Sequence, residues 1–335
     1  MLNMKKKILV LATGGTISSG FSPNNSLEPQ MSIDSIMANL TDVGDNYEIT
    51  TRDILMMDSS NIQPEEWQFI AREVFYRREG FDGVVITHGT DTMAYTASML
   101  TYMLKNIPVP VVLTGSQLPI THPLTDAYGN LRLALAMAAS GLPGVFVAFH
   151  NKIILGCRAV KTRTMNFHAF ESVNMPYIGS VDSSGLILNR ELVPAPAGEP
   201  ELLDRLSDDV FLIKLTPGLN PRIFDMLYDL EYQGIIIEAF GAGGLHCIHR
   251  DLVGQISSMV KKGVSVVACS QCLYERSDFS VYETGRLALD KGLIQAFDMT
   301  TEAAVTKLMW ALGQSDDPAE IRRIFNTNIA GEISL

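Results

Sequence analysis

Short apolar runs that end abruptly in glycines and hydroxyl residues set the rhythm of the first half of this chain. Residues 8–12, 84–87, 109–114 and 145–149 are almost continuously apolar rather than alternating. That is the pattern of parallel strands covered on both faces. Helical periods fall between them. Pro64 suits the first turn of a helix over 65–77, where Trp67, Ile70, Ala71, Val74 and Phe75 form one apolar stripe. Residues 93–104 and 126–139 read as further helices, and Ser32, followed by Ile33 and Ile36, as the cap of a short one.

The texture changes over 176–209. Pro194, Pro196, Gly198 and Pro200 follow one another without a period, which reads as a linker. Strand-helix alternation then resumes: 210–215, a helix opened by Asn220-Pro221, 234–238, a helix over 252–261, and 264–269. Asp317-Pro318-Ala319-Glu320 predicts a capping box, with Asp317 receiving backbone N–H groups and Glu320 reaching back. The expected fold is two-domain α/β. A larger N-terminal domain (1–188) carries a mainly parallel open sheet with helices on both faces and most of the site. A linker (189–209) and a smaller C-terminal α/β domain (210–335) follow.

Length agrees, since 335 residues, 47% of them hydrophobic, suffice for two cores. A formal charge of -11, from 26 basic and 37 acidic residues, argues against a general polyanion binder, so no nucleic-acid partner is expected. The basic start precedes only ILVLA before glycines arrive, too short for a secretory signal, and no apolar stretch predicts a membrane span. Four sparse cysteines form no disulfide framework. The expectation is a cytoplasmic, reduced protein with no membrane partner.

Chemistry concentrates where strands end. Gly14-Gly15-Thr16 follows the first run, and His88-Gly89-Thr90-Asp91-Thr92 follows another. Ligands of open α/β sheets bind outside the carboxyl ends of strands. Paired glycines permit close approach of a ligand and leave N–H groups to hold an oxyanion. A threonine hydroxyl becomes a nucleophile only when a base takes its proton. Each motif also has a plain structural reading, a tight turn for the first and helix capping by Thr90, Asp91 or Thr92 for the second. Capping leaves Lys161 unexplained. A lysine beside Asp91 stays charged, whereas one partly desolvated accepts a proton. Asp58-Ser59-Ser60-Asn61, after the apolar run 54–57 and before the Pro64 helix, is a third polar turn, suited to an amino acid's charged groups or to starting a helix, and Ser116-Gln117 a fourth lip.

Other signals are weaker. Gly241-Ala242-Gly243-Gly244 fails the dinucleotide spacing and reads as a structural turn. His246, Cys247 and His249, and the Cys269/Cys272 pair, lack the spacing of a zinc module, so no metal is expected. His88 reads as a packed residue beside its loop rather than a general base.

TGGTI, DSSN, HGTDTMAYTA, TGSQ and RAVKTRT together resemble the motifs of bacterial cytoplasmic, or type I, L-asparaginases, over essentially the whole chain. The resemblance implies hydrolysis of the L-asparagine side-chain amide to aspartate and ammonia, through an acyl-enzyme on Thr16. It implies proton relay by Thr90, Lys161 and Asp91, and no cofactor. Substrate binding falls on Gly15, Asp58, Ser59, Ser60, Gly89, Thr90, Asp91 and Ser116, with oxyanion donors near Gly15 and Thr90. A homodimer or homotetramer is implied.

Two departures stand out. Many relatives place a tyrosine in the segment after TGGTI, but here that segment, which reads as a polar lid with Gly20 and Pro23 as its local controls, holds Phe21, and the first tyrosine is Tyr47. Phe21 has no hydroxyl to move a proton. Val160 and Glu238 stand where a regulated relative has threonine and arginine, which predicts no strong asparagine allostery. Competing readings are a glutaminase, an ammonia-releasing amidotransferase subunit (expected to carry an extra N-terminal domain and a basic face), and a noncatalytic amino-acid-binding protein. One methylene changes discrimination by about 1–3 kcal/mol, so residual glutaminase activity is expected.

Overall fold

A computed structural model describes residues 5–21, 27–40 and 43–334. Pro23 of the expected lid lies outside the described residues. Two compact units emerge: Met1–Ser172 with Pro176–Asp204, and Val173–Met175 with Arg205–Leu335.

The first unit is built on an eight-stranded sheet. Its strands are β1 (Lys6–Gly14), β2 (Tyr47–Met57), β3 (Gly83–Thr87), β4 (Pro110–Thr114), β5 (Gly144–Phe149), β6 (Lys152–Leu155), β7 (Gly179–Asp182) and β8 (Gly185–Leu188). They lie in the order 8-7-6-5-4-3-1-2. Strands β1 to β5 run parallel, while β6, β7 and β8 join antiparallel. Val10 sits between Thr51 of β2 and Val85 of β3. Every residue of β3 and β4 is buried, as their unbroken apolar runs require. From β1 the chain goes to one side for β2 and to the other for β3. The strand order therefore reverses at β1, and a crevice opens beyond its carboxyl end.

Helices flank this sheet. In α1 (Pro64–Arg77) the Gln63 N–H donates to the Glu66 carboxylate (2.8 Å), satisfying one donor of the first turn. Trp67, Ile70, Ala71 and Val74, at helical spacing, are buried. Each large apolar side chain among them contributes on the order of 1.5–3 kcal/mol. Nearly all of α2 (Met93–Met103) is buried, the expected fate of a helix apolar on all sides. The third, α3, spans Ala127–Ala138. Ser32 caps the one-turn helix Ile33–Met37 by accepting the Ser35 N–H.

The proline-rich stretch after β8 is ordered. Glu201–Leu202 pairs with Leu104–Lys105, and ion pairs Lys105–Glu201 (2.8 Å) and Arg72–Asp204 (2.5 Å) hold it to the first unit.

The second unit has four parallel strands in sequential order: Val210–Lys214, Gly234–Ala239, Ser265–Ser270 and Ile294–Gln295. Ile213, Ile235, Ile237, Val266, Phe224, Leu252 and Ile256 share its core. Asp317 receives the Ala319 N–H at the start of Pro318–Asn326, as the capping box predicts. Glu320 does not reach back; it turns to Arg323 (2.6 and 2.7 Å), an opposite charge one turn along. No helix among the described residues is long and apolar enough to cross a membrane.

Candidate active site

Three strand ends meet at the reversal point. Beyond β1, Gly15 takes φ +82°, a conformation that side-chain-bearing residues rarely adopt. A Cβ there would lie 2.4 Å from the Gly89 nitrogen, so the loops after β1 and β3 touch backbone to backbone. A Cβ on Gly89 would in turn lie 2.5 Å from Ser59 Oγ, beyond β2. Glycine at both positions is what lets three loops converge. The Gly15 carbonyl accepts from the Ser18 N–H (3.1 Å) and from the hydroxyls of Ser18 and Ser19 (3.0 and 2.9 Å). Thr16 opens the short turn Thr16–Ser18 and is itself half-buried.

Thr90 and Asp91 meet Lys161, which ends the short strand Ala159–Lys161. Lys161 Nζ donates to Thr90 Oγ1 at 2.8 Å and to Asp91 Oδ1 at 2.5 Å. Its side chain is 17% exposed and that of Asp91 62%, so the pair bridges the interior and the crevice. Lys161 cannot be placed here by sequence spacing, because it lies 71 positions from Thr90.

Ser59 is buried and locks β2's end to this loop. Its hydroxyl accepts the Asp91 N–H (3.2 Å), and its carbonyl accepts the Thr92 hydroxyl (2.7 Å). Helix capping is therefore not what these side chains do: Thr92, at the N-cap of α2, makes no side-chain cap bond. Asp58 accepts both the N–H and the hydroxyl of Ser60 (2.8 and 2.6 Å), so these two exposed side chains are occupied with each other. Ser116 is buried and donates to the Leu118 carbonyl (2.6 Å), closing its own turn. The Gly15 N–H donates to the Met57 carbonyl (3.0 Å) and is not free to hold an oxyanion. Thr90 and Thr16 N–H groups bond to none of the described residues.

Gln117, named in the sequence as part of a lip and given no role, reaches Thr90: the Thr90 hydroxyl faces Gln117 Oε1 at 3.3 Å. Asp126, which sequence placed only at a helix start, accepts the N–H groups of Gln117 and Leu118 and the Asn130 amide. No motif marks Asp126 or Asn130, because their work is to hold a turn.

His88 is fully buried, and loss of hydration pushes its pKa down to about 4, against smaller opposing effects from the Gly89 carbonyl and Asp58. A neutral ring at physiological pH is no general acid. Burial likewise pushes the Cys269 thiol up to about 12, which makes it unreactive as a thiolate. No group of three metal-binding side chains exists among the described residues. Gly241 to Gly244 form a tight turn closed by paired bonds between Phe240 and Gly244.

Known proteins agree with this architecture. A family model described as asparaginase, N-terminal, matches residues 7–194, and one described as glutaminase/asparaginase C-terminal domain matches residues 209–325. The L-asparaginase of Thermococcus kodakarensis is 46% identical over 330 residues, covering 98% of this chain and 99% of that protein. Its solved structure superimposes with a TM-score of 0.92. A glutamyl-tRNA(Gln) amidotransferase subunit of the same organism is 37% identical over 98% of this chain and 76% of its own length. L-asparaginase I from Vibrio cholerae, 29% identical and covering 99% of this chain and 100% of its own, superimposes with a TM-score of 0.90. With both units matched by their models, and a relative 46% identical end to end, the chain belongs to the glutaminase/asparaginase family.

Proposed function

We propose that this protein hydrolyses the side-chain amide of L-asparagine to L-aspartate and ammonia, as a cytoplasmic enzyme of the type I kind, assembled as a homodimer or homotetramer. The observation that carries this reading is the junction of Lys161 with both Thr90 and Asp91, directly beside the Gly15–Thr16 turn. A hydroxyl, an amine and a carboxylate in hydrogen-bonded sequence are the parts of a proton relay.

Thr16 Oγ attacks the carboxamide carbon, and the Thr90–Lys161 relay takes its proton and delivers it to the leaving nitrogen. The oxyanion is held by backbone N–H groups, for which Thr16 and Thr90 are the donors still available; such a donor is worth a few kcal/mol. The C–N bond then breaks, and the amine leaves as ammonia after taking a proton. In the second half, water attacks the Thr16 ester. Its proton passes to Thr90 Oγ1 as the Thr90 proton passes to an uncharged Lys161 amine; the acyl C–Oγ bond to Thr16 then breaks, the relay returns the proton to Thr16 Oγ, and aspartate departs. Asp91 keeps Lys161 in place and meets the substrate's α-ammonium group. Gly15, Ser59, Gly89 and the turn Asp58–Ser60 shape the binding wall, with Ser116 at its far lip. The chemistry needs neither metal nor organic cofactor.

A second reading, ammonia release within an amidotransferase, is favoured by the 37% identity to the amidotransferase subunit. Of the two Thermococcus kodakarensis proteins, however, the asparaginase is the more similar, at 46%. Ammonia release from L-asparagine and L-glutamine, by wild type and Thr16→Ala, separates these readings. Asparagine turnover should fall at least about 10³-fold in the variant. Normal turnover without Thr16 would end the nucleophile assignment, and activity confined to glutamine with a charged tRNA acceptor would favour the second reading.

A further inference from the structure

The Gln117 carboxamide is fixed from both ends. Its Nε2 donates to the carbonyls of Thr164 (3.2 Å) and Asn166 (3.1 Å), which uses both amide hydrogens. Carbonyls only accept, so the orientation of the amide is settled, and Oε1 is the atom that faces Thr90 Oγ1 at 3.3 Å. The backbone is equally held: Asp126 accepts the Gln117 N–H at 3.0 Å and the Leu118 N–H at 3.2 Å. Asn130 ties Asp126 to the Gly115 carbonyl, with bonds of 3.0 Å to each. A neutral side chain is thus locked beside the hydroxyl that Lys161 also touches.

Because Lys161 Nζ donates to Thr90 Oγ1, the Thr90 hydrogen points elsewhere, and the acceptor waiting for it is Gln117 Oε1. This is the arrangement of the ammonium form. An uncharged Lys161 amine has a lone pair that can accept the Thr90 hydrogen; for the proton to pass to it the Thr90 hydroxyl turns to Nζ, and Gln117 drops out of the chain. The two arrangements therefore differ in their use of Gln117. We propose that Gln117 is a positioning residue that sets the direction of the Thr90 hydroxyl, and with it the direction of proton passage between Thr90 and Lys161. This rests on the relay described under the proposed function and names a member that relay did not contain. Gln117 acts through Thr90. The 164–166 segment it grips lies a few residues beyond Lys161, so the same amide also holds the lysine's chain against the hydroxyl.

The sign of the effect follows. Removing the acceptor withdraws support from the ammonium arrangement alone, whereas a carboxylate there strengthens it. The charged groups around Lys161, Thr90 and Gln117 are Asp91, bonded to Lys161, the Arg163–Glu171 ion pair on the ribbon that carries Lys161, and Asp126, which accepts the Gln117 N–H. Neither substitution below alters them.

The test is the pH dependence of kcat for L-asparagine in wild type, Gln117→Leu and Gln117→Glu. The limb set by the relay should move to lower pH in Gln117→Leu and to higher pH in Gln117→Glu. Plateau kcat should fall about tenfold in Gln117→Leu with KM within about twofold, since the residue is not placed on the substrate. A merely structural role would lower activity in both variants and displace both limbs alike or not at all; either result overturns the inference. Should Gln117→Leu not fold, the near-isosteric Gln117→Glu still decides by the direction of its limb. Lys161→Met separates this inference from its foundation. If that variant keeps wild-type turnover, the relay and the role of Gln117 fall together. If it is inactive while both Gln117 variants keep the wild-type limb, the inference about Gln117 alone is wrong.

Discussion

His88 shows how much a single buried side chain constrains its surroundings. The Trp67 indole N–H donates to Thr96 Oγ1 at 3.0 Å, and Thr96 Oγ1 lies 2.9 Å from His88 Nε2. At the other end, His88 Nδ1 lies 2.7 Å from the Gly89 carbonyl. An indole N–H only donates and a carbonyl only accepts, so direction propagates from both ends. Nδ1 carries the hydrogen, and Nε2 accepts from Thr96. This neutral tautomer is consistent with a pKa near 4, set mainly by burial. Unfolded histidine titrates near 6.5, so between these values the unfolded chain binds a proton that the folded protein refuses. The stabilising difference is fully present above about pH 6.5 and is lost as pH falls toward 4, by roughly 3 kcal/mol in all. Thermal midpoints at pH 7.5, 5.5 and 4.5 should therefore fall further for wild type than for His88→Asn, which cannot titrate. Parallel declines in the two proteins would show that His88 does not carry this dependence.

At the scale of elements, legibility tracked how strongly a residue's own neighbours determine its state. The buried strands were readable because both faces demand apolar residues; β3 and the helix Leu252–Lys261 lie where pattern places them. By contrast β2 was visible only near its end, over 54–57. It is an edge strand whose exposure alternates through Tyr47, Glu48, Ile49 and Thr50, so Arg52 and Asp53 look like loop to any hydrophobicity pattern. Residues 189–201 carry linker composition yet are ordered by partners about a hundred positions away, such as Asn106 and Lys105. The site divides the same way. Thr16, Thr90 and Asp91 announce themselves by following glycines at strand ends, whereas Gln117 depends on carbonyls 47 and 49 positions away. Local capping was only partly readable. Asp251, overlooked in the sequence, accepts the Gly254 N–H (2.8 Å) and opens Leu252–Lys261. Asp251→Ala should cost about 1 kcal/mol, seen as a lower denaturant midpoint, with turnover per folded molecule unchanged. An unaltered midpoint would mean that water caps this helix equally well.

Across the whole molecule, function and stability draw on different chemistry. The Asp91–Lys161 pair, proposed above as part of a proton relay, stays partly in contact with solvent, with 17% and 62% of the Lys161 and Asp91 side chains exposed. In the second unit, Lys307 and Glu332 form an ion pair that is completely buried, 2.5 Å apart. Glu332 also accepts the N–H groups of Ile329 and Ala330 (2.9 and 2.8 Å), and Lys307 donates to the Thr327 carbonyl (2.6 Å). Residues 327–332 are thereby pinned to the helix Thr301–Gln314. Burying two charges costs hydration that their attraction barely offsets, so the pair adds little net stability over a neutral substitute. Breaking it is another matter, because one partner is left charged in an apolar interior. Lys307→Met should accordingly cost about 3–5 kcal/mol. Adding Glu332→Gln to that variant removes the stranded charge while keeping an oxygen for one of the two N–H groups, and should restore at least half of the lost thermal midpoint. If the double variant melts no higher than Lys307→Met, the loss arises from the missing lysine contacts and not from an unpaired carboxylate, and the ion pair would be holding the chain's end by its hydrogen bonds alone.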